Sequence, residues 1–174
     1  MMSLPLFFLG ILLLTAAVID IRSHRIPNWL TFSAAVLAVL YHTGMKGLEG
    51  FLFSIEGVGV GIAVLIIPYL IGGVGAGDAK LMGAVGGLLG PEGVFMAFLF
   101  TALIGGIYAL VVLTLNGILK ETAKRYGAIL KTFIFTQKFI YISPSEKEKR
   151  PKLCYGIAIA LGTTLSVAFS IKIW

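Results

Sequence analysis

Residues 72–83 read Gly-Gly-Val-Gly-Ala-Gly-Asp-Ala-Lys-Leu-Met-Gly and separate two strongly apolar segments of the chain. The glycines of this stretch allow backbone conformations that are closed to other residues, and they let a second segment approach closely. The stretch also contains a carboxylate, Asp78, and an ionisable residue near membrane depth is costly unless it faces protein or water. Asp78 is therefore a candidate functional residue. Its structural alternative is a helix N-cap, where Asp is among the preferred residues.

A glycine-rich loop ahead of a helix is also typical of phosphate binding, but the residues here exclude two such motifs. A P-loop requires lysine directly after its second glycine, whereas Asp78 follows Gly77 in this chain. The glycine spacing also differs from the G-x-G-x-x-G pattern of dinucleotide-binding folds. A negative charge where a phosphate would lie argues against both motifs.

The composition is that of a membrane protein. The 174 residues are 58% hydrophobic and 13% charged, and the mean hydropathy is +0.99, beyond that of an ordinary soluble domain. The net charge is +6, but the basic residues cluster in particular loops, which favours contact with lipid headgroups over nucleic-acid binding. The single cysteine, Cys154, excludes an intrachain disulfide. His24 and His42 lie at opposite ends of one predicted helix, so we expect no metal site and no cofactor.

The apolar segments predict an all-α polytopic membrane protein with six transmembrane helices. The predicted spans are 4–21, 27–41, 51–71, 78–90, 93–116 and 153–171. The first span lacks the basic start of a signal peptide, so we expect it to be retained. Residues 42–50 are predicted to form a short polar link. In the third span, Gly57 and Gly61 form a Gly-x-x-x-Gly pair, which indicates a close-packing face.

The fourth predicted span, residues 78–90, is unusually short. Its 13 residues reach only about 20 Å along a helix, against a hydrocarbon core about 30 Å thick. We therefore expect either that the membrane thins here or that Asp78 lies in a wet recess below the membrane surface.

Residues 117–152 differ from the rest, because they carry nine of the fourteen Lys and Arg residues. Four lysines recur at near-heptad spacing: Lys120, Lys124, Lys131 and Lys138. Apolar residues fall on another face: Leu119, Tyr126, Leu130 and Phe133. This pattern predicts an amphipathic helix in the membrane interface between the fifth and sixth spans. We interpret residues 1–174 as one membrane-embedded domain with residues 117–152 as a basic cytoplasmic linker.

The distribution of basic residues predicts the orientation. With six spans, the links after odd-numbered spans carry twelve Lys and Arg residues, and the other side has only Lys46 and Lys172. The positive-inside rule then places the odd-numbered links in the cytoplasm and both termini outside. Asp20 ends the first span and Asp78 follows the third. Both aspartates therefore adjoin odd-numbered links, which predicts that both carboxylates lie at the cytoplasmic boundary.

Two carboxylates at one depth, beside a glycine-rich break that admits an extended chain, fit peptide hydrolysis by an aspartyl mechanism. One carboxylate takes a proton from the attacking water and the other donates a proton, so the pair is expected to titrate as a unit. Asp20 is predicted at a helix C-terminus and Asp78 at an N-terminus beside Lys80, so we expect Asp20 to hold the shared proton. The structural alternative for Asp20 is an interfacial residue paired with Arg22 or Arg25.

A second functional class is a small ion- or proton-coupled transporter or channel subunit, in which Asp20 and Asp78 would bind cations. The sequence has no convincing inverted repeat and no acidic residue that continues a pathway along the middle of a span. The residues therefore favour the peptidase over the transporter.

Three motifs of the chain, at residues 75–78, 20–28 and 155–162, resemble those of the type IV prepilin peptidase family. Gly75-Ala76-Gly77-Asp78 matches the GxGD signature of that family, and Asp20-Ile21-Arg22-Ser23-His24-Arg25-Ile26-Pro27-Asn28 resembles its first-aspartate motif. Tyr155-Gly156-Ile157-Ala158-Ile159-Ala160-Leu161-Gly162 is similar to the YGxAIAxG segment of its last helix. The motifs occur in matching order and cover nearly the whole chain. One departure is Cys154, which stands where the motif commonly has proline.

The resemblance implies a membrane aspartyl endopeptidase that removes the basic leader from pilin, pseudopilin or preflagellin precursors at the cytoplasmic side of the prokaryotic inner membrane. Asp20 and Asp78 would be the catalytic pair. The supporting motif residues would be Gly75, Gly77, Lys80, Pro27, Asn28, Tyr155 and Gly156. The small tight-adherence and preflagellin-peptidase branches are similar in size. Larger members add a methyltransferase region with a four-cysteine zinc motif. This chain has one cysteine and no room for that region, so we expect no methylation by it.

The resemblance also suggests how a precursor would bind. Its apolar helix would dock among the spans while its basic leader stays cytoplasmic. The basic cytoplasmic face of this chain opposes leader binding unless anionic lipid or linker acids intervene, namely Glu121, Glu146 and Glu148. Arg22, Arg25 and Lys80 are candidates to pair with an acidic residue at the start of the mature substrate. The alternative is that these basic residues only set the topology.

Overall fold

The computed structural model describes residues 3–136 and 154–173. In this part of the chain, the secondary structure consists of six α-helices, and short turns join the helices from α1 to α5. They are α1 Ser3–Ser23, α2 Asn28–Lys46, α3 Leu48–Leu70, α4 Ala76–Leu115, α5 Leu119–Thr136 and α6 Tyr155–Ile173. The predicted all-α fold is thus confirmed for the described residues.

Three of these helices are long and apolar enough to cross a membrane: α1 from Leu4, α3 and α4. A shorter apolar helix covers Tyr155–Phe169 within α6. The chain is therefore a helical protein with several apolar helices, and the predicted number of six spans stays a prediction.

The chain forms two compact units. The first consists of Met1–Gly105 with Cys154–Trp174, and the second of Gly106–Leu153. In the second unit, α5 forms where the basic linker was predicted to be helical. Lys120, Lys124 and Lys131 are exposed on it, whereas Ile118 and Ile129 are buried. Its position in the membrane interface stays a prediction, and Lys138 and the side chains of Leu130 and Phe133 lie outside the described part of the structure.

The beginning of α4 lies at the centre of the first unit. Residues 78, 79 and 81–88 are buried and Lys80 is exposed, and Leu81, Met82 and Val85 have no exposed surface. A helix that is apolar on all sides is stable only where neighbours cover all its faces. Asp78 is the first residue of this buried segment, so the fold places its carboxylate inside the protein.

Glycines allow α3 to approach α4 closely. A Cβ atom on Gly57 would collide with the carbonyl oxygen of Gly86, and one on Gly61 would collide with the carbonyl oxygen of Met82. Small residues permit such close backbone contacts between membrane helices, where dispersion contacts contribute strongly to association. The close-packing face predicted from Gly57 and Gly61 is confirmed.

A matched pair of substitutions in α3 tests this contact. Gly57→Ala is expected to destabilise the protein by about 1–3 kcal/mol, because the added methyl group overpacks the contact with α4. Gly59→Ala is the control, because no neighbouring atom lies within 4 Å of a Cβ atom placed on Gly59. Thermal unfolding in the same detergent measures both. Equal unfolding temperatures for the two variants would show that the α3–α4 contact is not tight.

The outer surface of the described helices is largely apolar. Large exposed side chains occur along several helices, including Phe7, Leu14, Phe32 and Leu103. The buried residues, in contrast, include Asp20 and other polar groups. Contiguous apolar surface of this extent is unfavourable in water and suits contact with lipid. The fold is therefore that of a multi-pass membrane protein.

The predicted polar link at residues 42–50 is wrong, because nearly all of it is helical. α2 continues to Lys46 and α3 begins at Leu48. The two helices meet at Gly47, whose φ of +61° is accessible to glycine at little cost. One residue in this conformation turns the chain, so no longer link is needed.

The predicted boundary between the fourth and fifth spans corresponds to an interruption inside α4. Gly90 has φ +75° and ψ 179° and leaves helical geometry. Pro91 follows at the start of the next helical part, where its missing N–H and fixed φ are tolerated. Gly90 also lies against the ring of Phe53, which would collide with a Cβ atom at this position. The backbone break is therefore specified by packing as well as by sequence.

Candidate active site

Asp20 lies in the last turn of α1 and is 4% exposed. Its Oδ2 atom accepts a hydrogen bond of 2.9 Å from the backbone N–H of Gly156, in the first turn of α6. A Cβ atom on Gly156 would lie 2.9 Å from the same oxygen and 3.3 Å from the Asp20 Cγ atom. Glycine at position 156 thus lets the α6 backbone come close enough to hold the carboxylate.

Asp78 is the third residue of α4 and is 8% exposed. Its Oδ2 atom accepts a 2.8 Å hydrogen bond from the N–H of Gly75. The Gly75 carbonyl accepts the first backbone hydrogen bonds of the helix, from Asp78 and Ala79, so Gly75 is the N-cap residue. The interpretation of Asp78 as the N-cap is therefore wrong. Its side chain reaches back from the N3 position, as the acidic residue of a capping box does.

The two carboxylates share one electrostatic environment. The charge of Asp20 acts on Asp78, and both charges act on the Cys154 thiol. Each carboxylate is held through Oδ2 by a glycine N–H. Among the described residues, no hydrogen bond to Oδ1 of either aspartate is present. The structure therefore brings together the two aspartates that the sequence analysis selected, with one oxygen of each fixed and the other available.

The motif that follows Asp20 packs directly on the motif that contains Asp78. A Cβ atom on Gly77 would lie 3.1 Å from the Ile26 Cβ atom and 3.2 Å from the Ile26 carbonyl oxygen. Lys80 Nζ donates a 2.8 Å hydrogen bond to Asn28 Oδ1. Pro27 lies between these contacts and is the N-cap residue of α2. The two motifs thus fix each other's position at one end of the first unit.

The third motif completes the arrangement from α6. The Tyr155 ring lies against Gly105 of α4, where a Cβ atom would come within 2.7 Å of the ring. The next residue, Gly156, holds Asp20. Adjacent residues at the start of α6 therefore contact two different helices, and they link the end of α1 to α4.

The predicted substrate-contact residues have different surroundings. Arg22 and Arg25 are exposed next to Asp20 in the sequence, whereas Lys80 binds Asn28. In the linker, Glu121 is exposed. Glu146 and Glu148 lie outside the described residues.

The structure removes the electrostatic support for the prediction that Asp20 holds the shared proton. Asp20 lies at the C-terminal end of α1, where a helix dipole disfavours an anion. Its carboxylate also binds an N–H in the first turn of α6, where the dipole favours an anion. Because these effects oppose each other, the position of Asp20 on α1 no longer supports assigning it the shared proton.

Sequence reasoning missed a side-chain contact next to Asp20. Cys154 is buried, and its Sγ atom lies 3.1 Å from Nδ1 of His24. No signal in the sequence pairs residues so far apart in the chain. Among the described residues, His, Cys, Asp and Glu side chains form no group of three that could hold a metal ion.

The fold and the site define a class of protein: a helical membrane protein with a buried, interacting pair of aspartates at helix ends. Residues 7–110 match the model of the type IV leader peptidase family. The match covers more than half of the chain and includes both Asp20 and Asp78. The chain therefore belongs to the type IV leader peptidase family, which confirms the resemblance found in the sequence.

One relative is the prepilin leader peptidase/N-methyltransferase of Bacillus subtilis (strain 168). The two sequences are 36% identical over 107 residues, which cover 56% of this chain and 40% of the relative. The chain thus spans less than half the length of that relative in the alignment. No solved structure matches the chain. The α6 motif, including Gly156, lies outside the region matched by the family model.

Proposed function

We propose that this protein is a membrane aspartyl endopeptidase that removes the basic leader from type IV prepilin-like precursors, with Asp20 and Asp78 as the catalytic pair. The observation that carries the proposal is the pair itself. The two carboxylates are buried and interact, and Oδ2 of each accepts a hydrogen bond from a glycine N–H. Family membership supports leader-peptide cleavage as the reaction and favours it over ion or proton transport.

The first step adds water to the scissile carbonyl. One aspartate, ionised, takes a proton from water as the water oxygen attacks the carbonyl carbon. Its partner, protonated, donates its proton to the carbonyl oxygen. The product is a neutral tetrahedral intermediate with two hydroxyl groups, and the two aspartates have exchanged protonation states.

The second step breaks the C–N bond. The newly protonated aspartate donates to the leaving nitrogen, and the ionised partner takes a proton from one hydroxyl group of the intermediate. This yields the leader carboxylic acid and the new amine, and it restores the starting protonation of the pair. The amides of Gly75 and Gly156 fix the Oδ2 atoms, so Oδ1 of each aspartate is the oxygen that transfers protons in this scheme.

Membrane topology determines which substrates reach the pair. We propose that the site opens to the cytoplasm and that both termini lie outside, as the distribution of basic residues indicates. The leader would approach from the cytoplasm while the apolar helix of the precursor remains in the bilayer.

Exposed arginines next to Asp20 suggest a contact with the substrate. Arg22 and Arg25 would pair with an acidic residue at the start of the mature region. The charge reversal Arg22→Glu, made together with Arg25→Glu, is then expected to raise KM about tenfold, the effect of losing roughly 1.4 kcal/mol of binding. Steady-state cleavage kinetics measure KM. An unchanged KM would show that these arginines only set topology.

Cleavage of a defined precursor tests the proposed function. The purified full chain in lipid nanodiscs is incubated with a prepilin fragment that contains its basic leader and first apolar helix, and mass spectrometry identifies the products. We expect one cut between the leader and the apolar helix. The proposal is overturned if the folded protein leaves intact a fragment that an established prepilin peptidase cleaves. Ion flux into proteoliposomes without cleavage would support the transporter instead.

A further inference from the structure

His24 ends the helix that carries Asp20 in an unusual backbone conformation. Its φ is +49°, in the left-handed region that most non-glycine residues avoid and that Asn, Asp and His tolerate best. Its backbone N–H donates a 2.8 Å hydrogen bond to the Asp20 carbonyl oxygen. A residue held in this region usually has surroundings that fix it, and such positions cluster at functional sites.

The imidazole of His24 contacts the beginning of α6. Nδ1 of His24 lies 3.1 Å from Sγ of Cys154, and Sγ lies 3.8 Å from the Asp20 carbonyl oxygen. Both contacts are satisfied together when Nδ1–H donates to sulfur and the thiol S–H donates to the carbonyl. In this tautomer, the two side chains form a continuous link from His24 through Cys154 to the backbone of Asp20.

This link lies beside the hydrogen bond that holds the catalytic carboxylate. Cys154 and Gly156 are two residues apart, and both contact the end of α1, one through the thiol and one through the N–H group. The α6 backbone is thereby attached to α1 at two points. The second hydrogen bond, through Cys154, lies at the start of α6 and limits how far the Gly156 N–H group can shift relative to Asp20.

We propose that His24 is a positioning residue for Asp20. By binding the Cys154 thiol, its imidazole holds the start of α6 so that the Gly156 N–H keeps Oδ2 of Asp20 in the orientation needed for proton transfer. The inference rests on the proposed function, because it concerns the rate of the proposed reaction. His24 acts through α6, and no contact of its own with substrate or with the reacting atoms is involved.

The expected effect is on turnover. Small displacements of a reacting group lower the rate of the chemical step steeply, and the imidazole of His24 contacts Cys154 and not the proposed substrate-contact residues. Loss of the imidazole is therefore expected to lower kcat and leave KM nearly unchanged. A general loss of folding would instead lower the amount of active enzyme and the unfolding temperature.

Two substitutions at position 24 separate the backbone from the side chain. His24→Gly keeps the left-handed conformation and removes the imidazole, and it is expected to lower kcat about tenfold with KM changed by less than about twofold. His24→Asn keeps both the conformation and a hydrogen-bonding group, and it is expected to restore a measurable part of the lost kcat. Gly10→Ala, in the same helix, is the control and should retain the wild-type kcat, because nothing lies within 4 Å of a Cβ atom at this position.

A double-mutant cycle with Cys154 tests the link itself. Cys154→Ala is expected to lower kcat as much as His24→Gly does, and the double variant should fall no further than either one, because all three lack the same contact. Independent effects would multiply to a loss of about a hundredfold, as additive free energies require. Multiplying losses, or a wild-type kcat for His24→Gly, would overturn the inference.

These experiments can refute the positioning role of His24 without refuting the proposed peptidase function. Cleavage by the wild-type chain, and its dependence on the two aspartates, is established before the variants are compared. If His24→Gly does not fold, the comparison of Cys154→Ala with wild type decides, because it removes the other half of the same contact. Unchanged kcat in folded Cys154→Ala would then refute the positioning role of His24 while leaving the proposed peptidase activity intact.

Discussion

Replacing either Asp20 or Asp78 by asparagine is expected to abolish precursor cleavage while the protein stays folded. Asparagine has nearly the same size, and its carbonyl oxygen can still accept the glycine N–H, but it cannot transfer a proton at neutral pH. Losses from removing a general acid or base are typically about 10²–10⁴-fold in rate. Single-turnover cleavage by purified variants in lipid measures them.

The control for this experiment is another carboxylate of the same chain. Glu92→Gln, in the second part of α4, removes one exposed negative charge and should leave the cleavage rate unchanged. Thermal unfolding confirms that each variant is folded. A rate for either Asp variant within about tenfold of wild type would be too fast for the loss of a general acid or base, and it would exclude the proposed mechanism.

Gly156→Ala is expected to have the second largest effect on activity. The added Cβ atom would lie 2.9 Å from Oδ2 and 3.2 Å from Cβ of Asp20, so the carboxylate must move away from the N–H that holds it. A displacement of about 1 Å in a reacting group lowers a rate by about a hundredfold. Steady-state kinetics should therefore show a lower kcat with the substrate still bound.

Two further glycines provide the comparison. Gly10→Ala, in the same helix as Asp20, is the control, because its surroundings are open for 4 Å. Gly75→Ala would place a Cβ atom 3.2 Å from Asp78 Oδ2, a milder contact, and should lower kcat less than Gly156→Ala does. A wild-type kcat for Gly156→Ala would mean that the N–H contact does not determine the position of Asp20.

The sequence was sufficient to predict the helical fold, and it singled out two aspartates that the structure buries. Long apolar runs predict helices in a membrane, because backbone groups there must be satisfied within the helix. The distribution of basic residues then predicted Asp20 and Asp78 on one side, and in the structure both are buried and accept a hydrogen bond from a glycine N–H. The close contact of Gly57 was also readable, because the spacing of small residues in α3 is local.

Other features depend on contacts that a local pattern does not reveal. The turn at Gly47 was predicted as a longer link, because polar residues are common both in loops and at helix ends. Asp78 lies at the N3 position because the helix starts at Ala76. The sequence did not reveal this, since helix ends are the least certain part of any sequence pattern. The electrostatics of Asp20 depend on Gly156, which α6 brings from the far end of the chain.

Contacts between the motifs also required the structure. The packing of Ile26 on Gly77 joins two motifs that the sequence shows only as separate stretches. His24 and Cys154 are in contact although they are 130 residues apart in the sequence. The cysteine stands where the family motif commonly has proline. Proline has no thiol, so the family resemblance gave no reason to expect this link.

The most direct test of the central claim, that the two aspartates act as one catalytic unit, is the single-turnover cleavage rate of the double variant Asp20→Asn/Asp78→Asn. Residues that act as a unit give strongly non-additive losses. We therefore predict that the double variant cleaves no more slowly than either single variant. Losses that multiply in the double variant would contradict the claim, because they would show that each aspartate contributes independently of the other.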